Sequence, residues 1–285
     1  MQRRRYLEPP RSLLALWAWR LAIFSLPVVL LAIVLARAGL FDIQPALVTF
    51  GAGLALAVIA ILLAVLALVV IWIDGRAGAG GAVAAIAISL MLLAYPAYLG
   101  TKAYRLPGIN DITTDPNDPP RLDAAERLRT RSANPTRYPG MAVYQQQTAA
   151  YPDVAPLSLD NPPKVAYDTA YAVVTKRKWN IVDARAPQPN RDGIIEAVAR
   201  TPIMGFRDDV VIRVRPDGTG SRIDARSASR YGFHDFGANA TRLINLLNDI
   251  DDAAPPTPEA TEAPAKKGQK PPAKPAPRSA QPVRR

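Results

Sequence analysis

The sequence predicts an α+β protein, with three N-terminal transmembrane helices followed by an antiparallel sheet that has helices on one face. Three observations predict it. Up to about Gly100 the chain is dominated by Ala, Leu, Val and Ile, although only 49% of its 285 residues are hydrophobic. Between residues 179 and 229 short runs alternate apolar and polar residues, the period of half-buried strands. On either side of those runs, at 163–179 and 236–250, apolar residues recur at helical spacing.

A hydrocarbon core of about 30 Å needs roughly 20 helical residues. Three apolar runs meet that length, at 13–36, 46–73 and 82–100. Backbone amides have no water partner in lipid, so each run forms a helix, with kinks marked by Pro27 and Pro96. The "ARA" at 36–38 resembles a signal-peptide cleavage site. The apolar stretch before it exceeds the about 7–15 residues of a signal peptide, however, and reads as a retained anchor. Arg20 lies within two turns of that span's N-terminal end, close enough to snorkel to the headgroups. Trp17, Trp19, Trp72, Tyr95, Tyr98 and Tyr104 lie near span ends, where amphipathic rings settle.

Arg3, Arg4, Arg5 and Arg11 precede the first span, whereas the loop after it carries Arg37 set against Asp42. The positive-inside rule then places the N-terminus in the cytoplasm, with Lys102 and Arg105 acting weakly in the opposite sense. Everything after the third span falls on the other side, which in a Gram-negative bacterium makes this a multi-pass inner-membrane protein with a periplasmic domain.

Residues 104–159 are dense in Pro, Asp and Tyr and read as ordered loop with one short helix near 122–131. Asp111, Asp115 and Asp118 lack the spacing and terminal glutamate of a calcium loop, and read as turn formers. From Pro163 an amphipathic helix places Val165, Tyr167 or Ala170, Val173 and Val174 on one side, with Lys176, Arg177 and Lys178 at its C-terminal end. Four strands follow: "WNIVDAR", "GIIEAVART", "VVIRVRP" and "SRIDARSAS". The last two are joined through Asp217-Gly218, a strong hairpin signal. Alternation puts Ile195, Ala197, Ala199, Val210, Ile212, Val214, Ile223, Ala225 and Ser227 on the helix-covered face. It leaves Glu196, Arg213, Asp224 and Arg226 on a polar face, where they pair across strands.

The final helix, from about residue 236 to 250, buries Ala240, Leu243, Leu247 and Ile250 and takes Asp235 as its N-cap. Asp235, Asn239 and Arg242 share another side of it, and Ser227, Ser229 and Arg230 arrive beside its start. This strand-loop-helix corner has three readings. It is a structural clamp, an anion or ligand site at a helix N-terminus, or a catalytic set of Ser227 or Ser229 with His234 and Asp235.

"INDITTDPNDPP", "GFRDDVVIRVRP" and above all "DARSASRYGFHDFGANATRL" resemble the bacterial family called domain of unknown function 1499, over most of residues 109–250. The family pattern falls on Arg226, Ser227, Ser229, Arg230, Gly232, Asp235, Gly237, Asn239 and Arg242, with His234 at an unspecified position. The resemblance implies a proteobacterial, membrane-attached protein and names no activity.

The net charge of +11 is concentrated at the two ends of the chain. No aromatic platform accompanies it, which excludes nucleic acid as the expected partner. Without cysteine there are no thiolate metal sites or disulfides, and one histidine makes no zinc set. No glycine-rich phosphate loop or nucleophile elbow is present, so no cofactor or metal is implied.

The expected organisation is a cytoplasmic basic N-terminus at 1–12, a three-span region at 13–100 and a loop-dominated start of the soluble domain at 101–163. An α+β core at 164–252 and a disordered Pro/Ala/Lys tail at 253–285 complete it. The favoured function is a non-enzymatic envelope protein whose corner residues Arg226, Ser227, Ser229, Arg230, Asp235, Asn239 and Arg242 bind a partner. That partner is an envelope protein, a cell-wall polymer or a small anionic ligand, with the lipid bilayer as the constant neighbour. The alternative is a membrane-anchored periplasmic hydrolase using Ser229 or Ser227 with His234. The topology is checked by fusing alkaline phosphatase after Ile250, which is expected to give active enzyme. Activity of a cytoplasm-only reporter at the same junction would reverse the orientation.

Overall fold

The computed structural model describes residues 9–39 and 43–256. The arginines at positions 3–5, Asp42 and the basic tail from 257 onward lie outside them, and with them the expectation of a disordered tail. The first three helices are α1 (Leu13–Ala38), α2 (Ile43–Asp74) and α3 (Ala79–Arg105), each long and apolar enough to cross a bilayer. Pro27 and Pro96 lie inside α1 and α3, and α3 runs five residues past the expected boundary at Gly100. Ser12 caps α1, accepting from the Ala15 amide at 3.4 Å. The chain before it is tied to the α2–α3 turn through Ser12 N to Ala77 O and Ala77 N to Pro10 O.

These helices touch through small residues. α1 buries Ala15, Ala18, Ala22, Ser25, Val29 and Ala32; α2 buries Gly53, Ala57, Ala60, Ala64 and Ala67; α3 buries Ala82, Ala85 and Ser89. The steps alternate three and four, the 3.5-residue period of a left-handed supercoil. In lipid no hydrophobic force draws apolar helices together, so close backbone approach through small side chains has to supply the attraction. Leu30, Val48, Leu62 and Met91 are correspondingly exposed on the outside. Arg20, also exposed, lies 5.4 Å from the Trp17 ring, one turn toward the N-terminal end of α1.

The rest of the chain builds one antiparallel sheet. Its first part contributes β1 (Asp111–Thr113), α4 (Asp123–Leu128), α5 (Met141–Ala150) and β2 (Leu157–Leu159). The expected helix and four strands follow as α6 (Pro163–Lys176), β3 (Asn180–Arg185), β4 (Gly193–Arg200), β5 (Arg207–Asp217) and β6 (Gly220–Ser229), and α7 (Ala238–Ala253) closes the domain. The strand order is β1-β6-β5-β4-β3, with β2 also paired to β6. Gly218 supplies the positive φ, 58°, of the β5–β6 turn.

α6 and α7 cover the face expected for them, packing Tyr167, Val173, Val174, Leu243, Leu246 and Ile250 on Ile195, Ile212 and Ile223. Val165, expected on the buried side, is only half-buried, and Ala166 takes its place in the core. The segment 101–163 is more structured than expected. Ile109, Ile112, Val154 and Leu159 belong to the same core, and β1 and β2 extend the sheet. At three residues each, those strands are too short to show alternation, and pairing with β6 defines them. α5 buries only Gln147, whose amide donates to Thr113 O and accepts from Thr113 N at 2.8 and 3.1 Å, completing the edge of β1.

The opposite face differs from expectation as well. It is not left to solvent: α4 and the flanking chain lie over it, with Leu122 and Ala125 on Val211 and Ala228. Glu196, Asp209, Asp224, Arg213, Arg226 and Arg230 are buried beneath this cover. One end of the sheet meets the helical part. Arg37, at the end of α1, donates to Pro202 O and Ile203 O at 2.6 and 3.1 Å, and Arg200 donates to Arg37 O at 3.2 Å.

The α1–α2 packing is tested at Gly53, where an added Cβ would lie 2.5 Å from Val29 Cγ2. Gly53→Leu is expected to cost about 1–3 kcal/mol in detergent-solubilised thermal unfolding. Gly51→Leu, at a position with open space around it, is expected to leave the midpoint unchanged.

Candidate functional site

A strand turns successive side chains to opposite faces, and β6 carries three of the seven candidate residues, with Arg230 directly after it. Ser227 and Ser229 point toward α7, whereas Arg226 and Arg230 point toward α4, as their partners show. The single corner expected from sequence is therefore divided by the sheet into two groups that do not meet.

On the α7 side the polar groups close on one another. Ser227 Oγ donates to Asn239 Oδ1 at 2.7 Å, and Asn239 Nδ2 donates to Ser229 Oγ at 2.9 Å and Asn110 O at 3.0 Å. Arg242 donates to Ser227 Oγ at 2.9 Å, to Asp208 Oδ2 at 2.5 Å, and also to Asn239 Oδ1. Every donor and acceptor of the Asn239 amide is used, so the group acts as a buried latch between β6, β5 and the start of α7.

α7 starts later than expected, at Ala238, with Gly237 rather than Asp235 at the N-cap. Gly237 takes a φ of 78°, which suits glycine. Asp235 still does the capping from two residues ahead, its carboxylate accepting from Gly237 N at 2.8 Å and Asn239 N at 2.9 Å. Burial pushes its pKa up against those two amides, and the Asp208 carboxylate adds to the rise. His234 Nδ1 accepts from Phe236 N at 2.9 Å, and its ring stacks on Phe236. Among the described residues no hydrogen bond joins His234 to Ser227 or Ser229, so the contact a Ser–His nucleophile needs is missing.

On the α4 side each buried arginine has an acid. Arg226 forms a two-pronged pair with Asp111, at 2.9 and 2.7 Å, and donates to Pro120 O and Thr136 O. Its guanidinium lies 5.4 Å from the Tyr138 ring. Arg230 grips Asp209 at 2.7–3.1 Å while Arg129 reaches the same carboxylate at 2.8 Å. Farther along, Arg213, Arg215 and Arg222 share Asp115 and Asp224, and the first two also reach Asp118. Burial pushes the Asp115 pKa up, but the Asp118 amide and the Arg215 and Arg222 guanidiniums outweigh it and the net direction is down. Asp115 also makes the expected turn, accepting from the Asn117 and Asp118 amides.

Glu196 pairs with no cation among the described residues. It accepts from the Ala124 and Ala125 amides at 3.0 Å and so caps α4 from the sheet below. Burial, helped by Asp123 and Asp183, raises its pKa against those amides.

Two adjoining cavities open around α4, of about 440 and 320 Å³, and they share Glu126, Thr136 and Arg137. The larger is lined by Arg226, Tyr138 and Arg121, the smaller by Arg129, Arg131 and Asn134. Burial first, and then Asp111, push the Tyr138 phenol up to about 12, so it keeps its proton at neutral pH. Its hydroxyl is buried with no hydrogen-bond partner among the described residues. Of the seven candidate residues, Arg226 lines the larger of these two cavities, and the other six line neither. Sequence reasoning missed Arg129, Arg131, Arg137 and Tyr138; the signal was there in "RLRTRSANPTRYPG", a run of basic and turn residues with too little periodicity to stand out.

Residues 111–250 match a family model described as "Protein of unknown function (DUF1499)". The matched segment runs from the start of β1 into α7 and so contains the whole sheet. No curated protein matches the chain. Among solved structures it is similar to CalU16 from Micromonospora echinospora, at 14% identity over 35% of this chain and 74% of that one. The TM-score is 0.24, and at that level the likeness carries no argument.

Removing Arg226 strands Asp111, itself 4% exposed. Arg226→Ala is expected to cost roughly 3–5 kcal/mol. His234→Ala loses one hydrogen bond to an amide and is expected to cost about 1 kcal/mol. Denaturant unfolding of the two variants separates them, and equal stability would show that the Asp111–Arg226 pair does not hold the cover on the sheet.

Proposed function

We propose, for a chain that belongs through residues 111–250 to the family described as "Protein of unknown function (DUF1499)", that it is a membrane-anchored binding protein. Its α+β domain, on the periplasmic side of the inner membrane, holds a small anionic group in the cleft around α4. One observation carries this reading. Arg131 and Arg137, on the walls of the two cavities, make no ion pair or hydrogen bond among the described residues, whereas the arginines buried beneath them are all matched to acids.

A guanidinium offers a planar fork of donors that suits phosphate or carboxylate oxygens. Arg137 belongs to both cavities, so an anion in either meets it. Tyr138, neutral, forms part of the same wall, with its ring 5.4 Å from the Arg226 guanidinium. The α7-side cluster, by contrast, has spent its donors and acceptors internally and suits a structural role. The hydrolase alternative would need His234 within reach of a serine hydroxyl, and the geometry offers it no support.

Calorimetric titration of the detergent-solubilised full chain with glycerol phosphate tests the proposal. The Arg131→Ser/Arg137→Ser double variant is expected to bind about tenfold or more weakly while keeping the wild-type melting temperature, since both side chains are exposed and unpaired. Unchanged affinity in that variant would overturn the cleft as the binding site.

A further inference from the structure

The end of the sheet that meets α1 also carries an apolar projection. Arg200 and Arg207 face each other across the closing pair of β4 and β5, beside Arg37. Arg230, just past the end of β6, donates its amide to Arg207 O at 3.1 Å. Residues 231–236 therefore emerge at the same end as Arg37, in the last turn of α1. The exit of α3 gives a second, independent fix. An added Cβ on Gly108, three residues after α3 ends, would lie 3.7 Å from the Phe233 ring.

Phe233 is 80% exposed, and Tyr104, in the last turn of α3, is 92% exposed. The backbone that displays Phe233 is firmly held. Gly232 O accepts from Asn110 Nδ2 at 2.5 Å and Asn134 Nδ2 at 2.7 Å, and the Phe236 amide is held by His234. Ordering a loop in order to present a large apolar ring to water serves no folding purpose, since the ring buries little. At the level where three apolar helices leave a bilayer, the ring instead meets the headgroup and acyl boundary, where aromatic side chains settle.

The loop also touches the cleft. Asn134 and Thr130 both line the smaller cavity; Asn134 bonds Gly232 O, and the Thr130 hydroxyl lies 3.2 Å from that of Tyr231. Arg131, unpaired, lines the same cavity. An apolar ring at the bilayer surface beside unpaired guanidiniums is the complement of an amphiphile with an anionic head.

We infer that the 231–234 loop seats in the bilayer interface with Phe233 at the acyl boundary, and that the anion held in the adjoining cleft is the headgroup phosphate of an anionic phospholipid from the same leaflet. The second half rests on the cleft reading proposed above; the first does not.

The chain has no cysteine, so Phe233→Cys and, on the β5–β6 turn at the opposite end of the sheet, Thr219→Cys each give a unique site for a nitroxide label. The full-length protein is reconstituted into vesicles of phosphatidylcholine alone and of phosphatidylcholine mixed with phosphatidylglycerol, and label collisions with oxygen and with a water-soluble nickel chelate are compared. The label at 233 is expected to favour oxygen and the label at 219 the nickel chelate. Phosphatidylglycerol is expected to deepen the label at 233, and the Arg131→Ser/Arg137→Ser background to abolish that deepening. A label at 233 as open to nickel as the one at 219 would overturn the inference, even where glycerol phosphate still binds and the cleft reading stands. A label at 233 that lies in lipid yet ignores phosphatidylglycerol would overturn the headgroup assignment alone, and failure of glycerol phosphate to bind as well would remove the cleft reading with it.

Discussion

A guanidinium buried under a sheet has to find a carboxylate, and the pairing of Arg226 with Asp111 is the contact on which the rest of the domain depends. The pair joins β6 to β1, the first strand after the three long helices. The remaining Arg226 donors hold Pro120 O and Thr136 O, so one side chain fixes both ends of the segment that runs over the sheet. Arg129 and Arg230 on Asp209 fix its middle. Without these pairs the cover has few apolar anchors on the sheet, chiefly Leu122 and Ala125. The cleft exists because charge pairing, rather than hydrophobic area, attaches the cover and leaves gaps around α4.

The same logic distinguishes the two faces. Toward α6 and α7 the sheet presents Ile, Val and Ala, and burial of apolar area holds the layers. Toward α4 it presents ions, whose burial is tolerable only when each is matched. Arg131 and Arg137 stand out because they sit at the rim of a matched network and take no part in it. Glu196 is the complementary exception, a buried carboxylate satisfied by the first amides of α4, so that the short helix and the sheet cap each other.

The helical part is built for a different rule, the one that holds for helices long and apolar enough to cross a bilayer, where lipid removes the hydrophobic drive between them. Its contacts are the alternating small residues of α1, α2 and α3, with Gly53 leaving no room for a Cβ against Val29. Its attachment to the domain is polar again, through Arg37 on the carbonyls of the β4–β5 turn. That contact and the direct run from α3 into β1 hold one end of the sheet next to the helices, and this gives the Phe233 loop its position.

By itself the sequence determined the three long apolar helices, the two amphipathic helices, the β5–β6 hairpin and which strand residues face the main core. Those features are local: a period of two, 3.5 or 3.6, or a turn dipeptide, is complete within a few residues. It also singled out the polar stretch around β6, and placed Asp235, Asn239 and Arg242 together on one side of α7. Only the tertiary structure decided that Arg226 and Arg230 lie across the sheet from Ser227 and Ser229 in use as well as in direction, and that Asp111 and Asp209 answer them. It alone turned the Asp-rich segment into a cover and brought Arg131 and Arg137 beside the Phe233 loop. Arg226 and Asp111 are 115 residues apart, and an ion pair over that separation leaves no period in the sequence because its geometry comes from strand register.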